Sequence, residues 1–234
     1  AMKVALTLAF EGWEAATGTL PDVGVADSIQ GRRVLLVDKP GATQTYFWIG
    51  NVGVAVDYAN RAELNLANTV FGGRFTSMLM TELRVKSGLT YGVRSSLVRR
   101  TQPGSVTIRS FTETDKTVEA IDMALSVLDR LHVSGLDDEM IASARNYITV
   151  QFPPSLETAS SLAGMLAYLE LSGLDRTYID DYGAAPAGAT PATGPNATSA
   201  VYPHPDNIAT IRSGVADPLP AAGATHAPPT DTRT

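Results

Sequence analysis

Two side chains seven residues apart, Arg84 and Tyr91, have the types that together could do chemistry on a peptide. A guanidinium offers five N–H donors in a fixed fork, and a phenol offers one O–H. Held at one end of a rigid unit, such a donor pair can bind a peptide carbonyl or a carboxylate, or stabilise an oxyanion as charge develops on it. On residue types alone the ordinary alternative is the stronger one. An arginine at a helix end and an aromatic in a strand need no function at all.

Other chemistry is largely excluded. The histidines are His132, His204 and His226, and no two lie within a helical turn of each other, so a paired-histidine metal site is not written locally. His132 reads as a dipole-favoured helix end beside the solvated acidic turn Asp137, Asp138 and Glu139. His204 falls in a surface turn, Tyr202-Pro203-His204-Pro205, and His226 in the tail. With no cysteine there is no disulfide, thiolate nucleophile or cysteine-ligated metal. A phosphate-binding loop with its lysine and a G-x-S-x-G elbow are both absent, and the lone pair Gly72-Gly73 is too weak for a phosphate cradle. Arg94, Arg99 and Arg100 add local positive charge. They read first as a solvated strand face, with guidance of an acidic partner as the minor alternative. The formal net charge of −6 argues against a general nucleic-acid surface.

The elements that must position the pair come from the stretch Phe71 to Leu97. Phe71-Gly72-Gly73 is a break. Phe75, Met78, Leu79 and Leu83 then recur at helical spacing. Gly88 is a natural residue to stop that helix, with Arg84 and Lys86 in its last turn. Leu89, Tyr91 and Val93 alternate with Thr90, Gly92 and Arg94, which suits a strand.

Around this unit the 234 residues, 44% hydrophobic and 18% charged, can build a normal core. Residues 3–16 carry Val4, Leu6, Leu8 and Phe10. They are either a strand and turn or the end of a helix, and the alternation favours the strand. Residues 17–30 read as a connector. Residues 32–37 form a short buried strand and residues 44–56 a second, with the turn Asp38-Lys39-Pro40-Gly41 between them. Residues 60–71 form a helix. Residues 95–100 and 105–111 flank Gln102-Pro103-Gly104 as a hairpin. Thr114-Asp115 caps a helix with the stripe Val118, Ile121, Leu125, Leu128 and Leu131. A second helix follows Asp137 with the face Ile141, Ala144 and Ile148, and Pro153-Pro154 ends it. Ser155 caps a third helix, with Leu162, Met165, Leu166 and Leu169 on one face, and Gly173 closes it.

Residues 183–200 turn rich in Ala, Gly, Pro and Thr and read as an irregular insertion, residues 207–213 as a last strand, and residues 218–234 as a disordered tail. Strands and helices are grouped rather than alternating. The expected fold is therefore α+β: one domain over 1–217, with a mixed, largely antiparallel sheet and helices packed on one face. No apolar run approaches the roughly 20 residues that span a bilayer. The first residues lack a basic segment followed by an apolar stretch and a cleavage site, so any signal peptide is expected to be absent or removed. The expectation is a soluble protein, periplasmic or cytoplasmic in a bacterial-type cell.

In register, Phe71-Gly72-Gly73, Glu82-Leu83-Arg84 and Gly88-Leu89-Thr90-Tyr91-Gly92 resemble the pitrilysin/insulinase-like zinc metallopeptidases, specifically their second half-domain. The likeness covers most of residues 30–182. It implies a metallopeptidase half-domain fold of the LuxS and mitochondrial-processing-peptidase kind, in which two homologous units enclose a chamber. One unit carries zinc on H-x-x-E-H; the other supplies an arginine and a tyrosine that hold the substrate backbone and support the transition state. By motif these fall on Arg84 and Tyr91, while Gly72, Gly73, Phe75 and Gly88 match the structural turn. This sequence has no H-x-x-E-H, so the resemblance implies no catalytic residue and no metal here, with zinc on a homologous partner half and a peptide as substrate. The alternative it leaves open is a catalytically inert structural or assembly subunit of the same fold. Residues 183–200 depart from the family, which usually has a helix there.

Overall fold

The computed structural model describes residues 2–14, 17–19, 23–175, 177–179, 201–215 and, for the backbone, 224–226. Its centre is strand β2 (Gln44–Val52), whose residues alternate strictly between exposed and buried. Thr45, Phe47, Ile49 and Asn51 point one way and Tyr46 and Trp48 the other, the period of two that a half-buried strand requires. β2 pairs antiparallel with β4 (Ser105–Glu113) on one side and with β5 (Ala209–Gly214) on the other. Beyond β4 lies β3 (Val93–Val98), antiparallel; beyond β5 lies β1 (Arg33–Asp38), parallel. The short strand β6 (Ala224–His226) runs parallel along the outer edge of β1, so the sheet order is β3-β4-β2-β5-β1-β6. The fold is mixed α+β, as its grouped elements require.

One face of this sheet is covered. Phe47, Ile49, Val106 and Ile108 are essentially inaccessible and join one core with Leu64, Phe71, Leu79, Leu83, Leu128 and Leu131 from the helices. Those helices are α2 (Arg61–Asn68), which widens into a π-helical turn over Thr69–Gly73, and the short α3 (Met78–Met80), which widens again over Thr81–Lys86. The longer α4 (Thr117–Ser134), α5 (Asp138–Ser155) and α6 (Ala159–Ser172) follow. α5 starts where Asp137 accepts a hydrogen bond from the Met140 amide at 2.7 Å, a side-chain cap on an otherwise orphaned donor. Buried Asn51 ties the connector to the sheet. Its Nδ2 donates to the carbonyls of Ile29 and Asn207, and its Oδ1 accepts from the Ile29 amide at 2.8 Å.

Several expectations are corrected. Residues 2–9 form a helix, α1 (Met2–Ala9), not a strand. None of its residues is buried, so no sheet neighbour selects the alternating pattern, and a helix satisfies its backbone donors locally. β1 is a strand as expected but not a buried one: Leu35 and Val37 are exposed on the open face. Leu89–Gly92 is a loop rather than the start of a strand, because consecutive Leu89 and Thr90 are both buried and β3 begins only at Val93. On α4 the buried face is Ala120, Ala124, Val127, Leu128 and Leu131, leaving Val118 exposed, and neither Thr114 nor Asp115 is its cap. α6 is capped by Thr158, which accepts from the Ser161 amide at 3.0 Å, not by Ser155. Of its expected face only Leu169 is buried. Within the expected tail, residues 224–226 are paired to β1 rather than free, since β1 offers an unoccupied edge there. The expected insertion at 183–200 lies outside the described residues.

Candidate functional site

The turn that carries Arg84 and Tyr91 is built from four local causes. First, the π-helical segment ends at Gly88, whose φ of +65° is left-handed, a conformation that costs a side-chain-bearing residue but not glycine. The Leu89 amide reaches back to the Leu83 carbonyl at 2.8 Å, a Schellman-type stop widened by one residue. Second, the Ser87 hydroxyl donates to the carbonyls of Glu82 (2.7 Å) and Leu83 (3.0 Å), satisfying acceptors the helix end leaves open. Third, the Glu82 carboxylate accepts from Lys86 and from Arg130 of α4, each at 3.0 Å. Partial burial alone would raise that carboxyl, but the two cations hold it below the usual carboxylate range. Fourth, the loop is stitched to β4. The Thr112 hydroxyl donates to the Leu89 carbonyl at 2.6 Å, and the Ser110 hydroxyl donates to Thr90 Oγ1 at 3.1 Å. Leu89 and Thr90 are thereby drawn inward, and Tyr91 is turned outward, 74% exposed.

Behind the turn the chain passes very close to β3. A Cβ on Gly72 would lie 2.6 Å from the Ser95 amide nitrogen, so only glycine fits there. A Cβ on Gly73 would lie 2.9 Å from the Asn68 carbonyl oxygen. The phenol of Tyr202, fully buried, donates to Asn68 Oδ1 at 2.6 Å, lies 3.4 Å from Ser95 Oγ and packs edge-on against Phe71. Burial pushes that phenol well above its ordinary pKa, so it remains a neutral donor. The sequence places Tyr202 in a surface turn and gives no sign of its place in this support. An aromatic beside two prolines carries no local signal of such a contact.

The outcome is a stack. The Arg84 guanidinium carbon lies 4.3 Å from the centre of the Tyr91 ring and 4.7 Å from the centre of the Phe75 ring. Both distances are within cation–π range. Phe75 was read as part of the turn and of the helix's apolar stripe. It does lie in the turn, ahead of α3, but not in a buried stripe, since it stands 61% exposed, outside the core. Among the described residues, no hydrogen bond or ion pair involves the Arg84 guanidinium or the Tyr91 hydroxyl. Their donors are therefore open to a ligand, and the two rings restrict where the guanidinium can point. Chemically the arrangement is a preoriented set of N–H and O–H donors at an exposed turn, suited to carbonyl or carboxylate oxygen.

The histidines behave differently from their separation in sequence. His132 at the end of α4 and His204 approach with ring centres 5.9 Å apart, and His132 Nε2 lies 3.2 Å from the Pro203 carbonyl oxygen. Burial holds His132 below its ordinary pKa, opposed by the contact with that carbonyl. Among the described residues no group of three or more His, Cys, Asp or Glu side chains could hold a metal ion. A catalytic zinc therefore does not fit this set of side chains. No described helix is long and apolar enough to cross a membrane.

Comparison with known proteins agrees with this fold. The chain is 26% identical over 159 residues to an uncharacterized zinc protease of Streptomyces coelicolor, covering 68% of this chain and 34% of that protein. Its fold matches a peptidase M16 inactive domain from Pseudomonas fluorescens with a TM-score of 0.78 at 20% identity, over 85% of this chain and 46% of the other. It matches a protease from Helicobacter pylori with a TM-score of 0.77 at 14% identity, over 91% of this chain and 52% of the other. This chain thus spans about a third of the Streptomyces protein and about half of each of these two solved chains. Residues 7–148 match the family described as the peptidase M16 inactive domain, and the chain belongs to that family.

Proposed function

We propose that this chain is the non-catalytic half, or the partner subunit, of a zinc metallopeptidase, and that it binds peptide substrate opposite a homologous zinc-bearing half. The observation that carries the reading is the stack at the turn: Arg84 oriented between Tyr91 and Phe75, with its donors and the Tyr91 hydroxyl unclaimed by the described residues. In this role Arg84 holds the substrate main chain or its terminal carboxylate. Tyr91 donates its proton in a hydrogen bond to the scissile carbonyl oxygen as negative charge grows there. A donor fixed before the reaction need not reorganise during it, and this is why such a bond contributes more to the transition state than to the bound substrate. The scaffold fits the task. Gly88, Ser87, Glu82 and the Thr112–Leu89 bond fix the turn, so the two groups are positioned by rigid elements rather than by a free loop.

A peptide-cleavage assay tests this reading. The chain is assayed alone, with a zinc-bearing half of the same family, and with that half plus a chelator. Cleavage is expected only for the combined halves without chelator. A second reading is supported by the same stack, because a guanidinium sandwiched by two rings also suits a packing residue. The chain would then be an inert assembly subunit. Absence of cleavage by the zinc-loaded complex would decide for that alternative.

A further inference from the structure

The face of the sheet turned away from the helices is ordered in cross-strand rows. One row runs Arg94, Arg109, Trp48, Ile211, Leu35 across β3, β4, β2, β5 and β1; the next contains Phe111, Tyr46, Ser213 and Val37. Tyr46 and Trp48 are 46% and 41% exposed, and the Tyr46 and Phe111 rings pack with centres 5.5 Å apart. Between them and the arginines is a shallow hollow of about 400 Å³, lined by Tyr46, Trp48, Arg94, Arg109, Phe111 and the backbone at Gly92–Val93.

Two features of this hollow point to a ligand. Arg94 and Arg109 are direct cross-strand partners, and both are exposed. Like charges set opposite each other in a sheet are mutually destabilising. Among the described residues neither guanidinium has a hydrogen bond or an ion pair, in a chain that carries 24 acidic residues against 18 basic ones. On the same face of β4, Glu113 lies four residues further along and is paired to Lys116 at 2.7 Å. The arginine pair is thus left for a carboxylate from outside, which can engage both guanidinium forks. The second feature is continuity: Gly92 and Val93, which line the hollow, directly follow Tyr91. The hollow therefore borders the loop that carries Tyr91.

We propose that this hollow is a substrate subsite for acidic peptide segments: Arg94 and Arg109 bind an Asp or Glu side chain, and Tyr46, Trp48 and Phe111 receive a bulky apolar or aromatic side chain two residues away, on the same side of an extended chain. The spacing suits an extended chain, which advances about 3.3–3.6 Å per residue against about 4.8 Å between neighbouring strands. The inference rests on the peptide-binding reading above and names the substrate class that reading leaves open.

The test uses blocked hexapeptides, acetyl-Gly-X-Ala-Phe-Ala-Gly-amide with X as Glu, Gln or Lys, titrated calorimetrically into the 234-residue chain and into its complex with the zinc-bearing half. The Glu peptide is expected to bind about tenfold more tightly than the Lys peptide at low ionic strength, with the ratio shrinking as salt is raised. The double variant Arg94→Gln/Arg109→Gln, checked for an unchanged circular dichroism spectrum and melting temperature, should bind all three peptides alike. Trp48→Ala should weaken the Phe-containing Glu peptide relative to one with Ala in place of Phe. Tyr91→Phe should keep the charge preference while losing turnover in the complex, so failure of the subsite and failure of the peptidase reading are separable. Equal binding of Glu and Lys peptides by the unmodified chain would overturn the proposal. So would a preference that survives in the double variant, or one that vanishes when the zinc-bearing half is added, which would make this face an inter-half contact.

Discussion

Strand β2 has two sides that do different work. Phe47 and Ile49 are fully buried beneath the helices, while their immediate neighbours Tyr46 and Trp48 remain close to half exposed. All four are large and apolar or aromatic, so composition does not separate them. What separates them is the covering. The π-helical turns, α4 and α5 lie on one face, and the other has no cover among the described residues. Stability is concentrated where side chains interdigitate; the binding proposed above lies where equally apolar side chains are left uncovered by helices. The Arg84–Tyr91 turn joins the two regimes. It is anchored by Leu83 and Leu89 in the core, and it presents its donors outside.

Substitutions can break or sharpen this contrast. Phe47→Ala removes a ring with no exposed surface and should cost about 3–5 kcal/mol, measured by denaturant unfolding. Gly72→Ala forces a methyl against the Ser95 backbone and should cost about 2 kcal/mol, since β3 and the π-helical turn must part. Trp48→Ala, one residue from Phe47, should cost only about 1 kcal/mol because that ring is already partly in water. If Trp48→Ala were as damaging as Phe47→Ala, the open face would have to be covered after all. Glu82→Gln should cost about 0.5 kcal/mol at pH 7, the usual scale for accessible ion pairs. Its pH dependence has a defined sign. The folded-state pKa of Glu82 is depressed, so the contribution is present above the unfolded value of about 4.3 and is lost as pH falls through the lower folded value. The difference between the native chain and Glu82→Gln should therefore shrink in acid below about pH 4.

Much of this architecture can be read from the residues, and the exceptions have physical causes. The period-two patterns of β2 and β4 and the Pro-Gly hairpin turn are local signals, and each element forms within a few residues of its expected place, β2 ending at Val52 rather than at residue 56. The glycine stop at Gly88 is equally local, since a left-handed residue at a helix end is a backbone requirement. Residues 4–10 mislead because alternation predicts a strand only where a sheet edge accepts it, and no residue of α1 is buried. Leu89–Gly92 misleads for a tertiary reason: Ser110 and Thr112 draw two consecutive residues inward and break the alternation. In the candidate site, the spacing of Arg84 and Tyr91 was visible as chemistry. The contact of the Phe75 ring with the guanidinium was not, because its spacing fits a core stripe equally well. The Arg94–Arg109 pair depends on hairpin register, which composition does not fix.

The central claim is that the exposed hydroxyl of Tyr91 stabilises charge on the scissile carbonyl rather than supporting the fold. It is tested most directly by Tyr91→Phe in the assembled enzyme, with turnover and melting temperature measured on the same preparation. The account predicts a loss in kcat of about 10²–10³ with the melting temperature unchanged, because the ring and its stack on Arg84 remain and only the donor is removed. Turnover equal to that of the unmodified enzyme would contradict it.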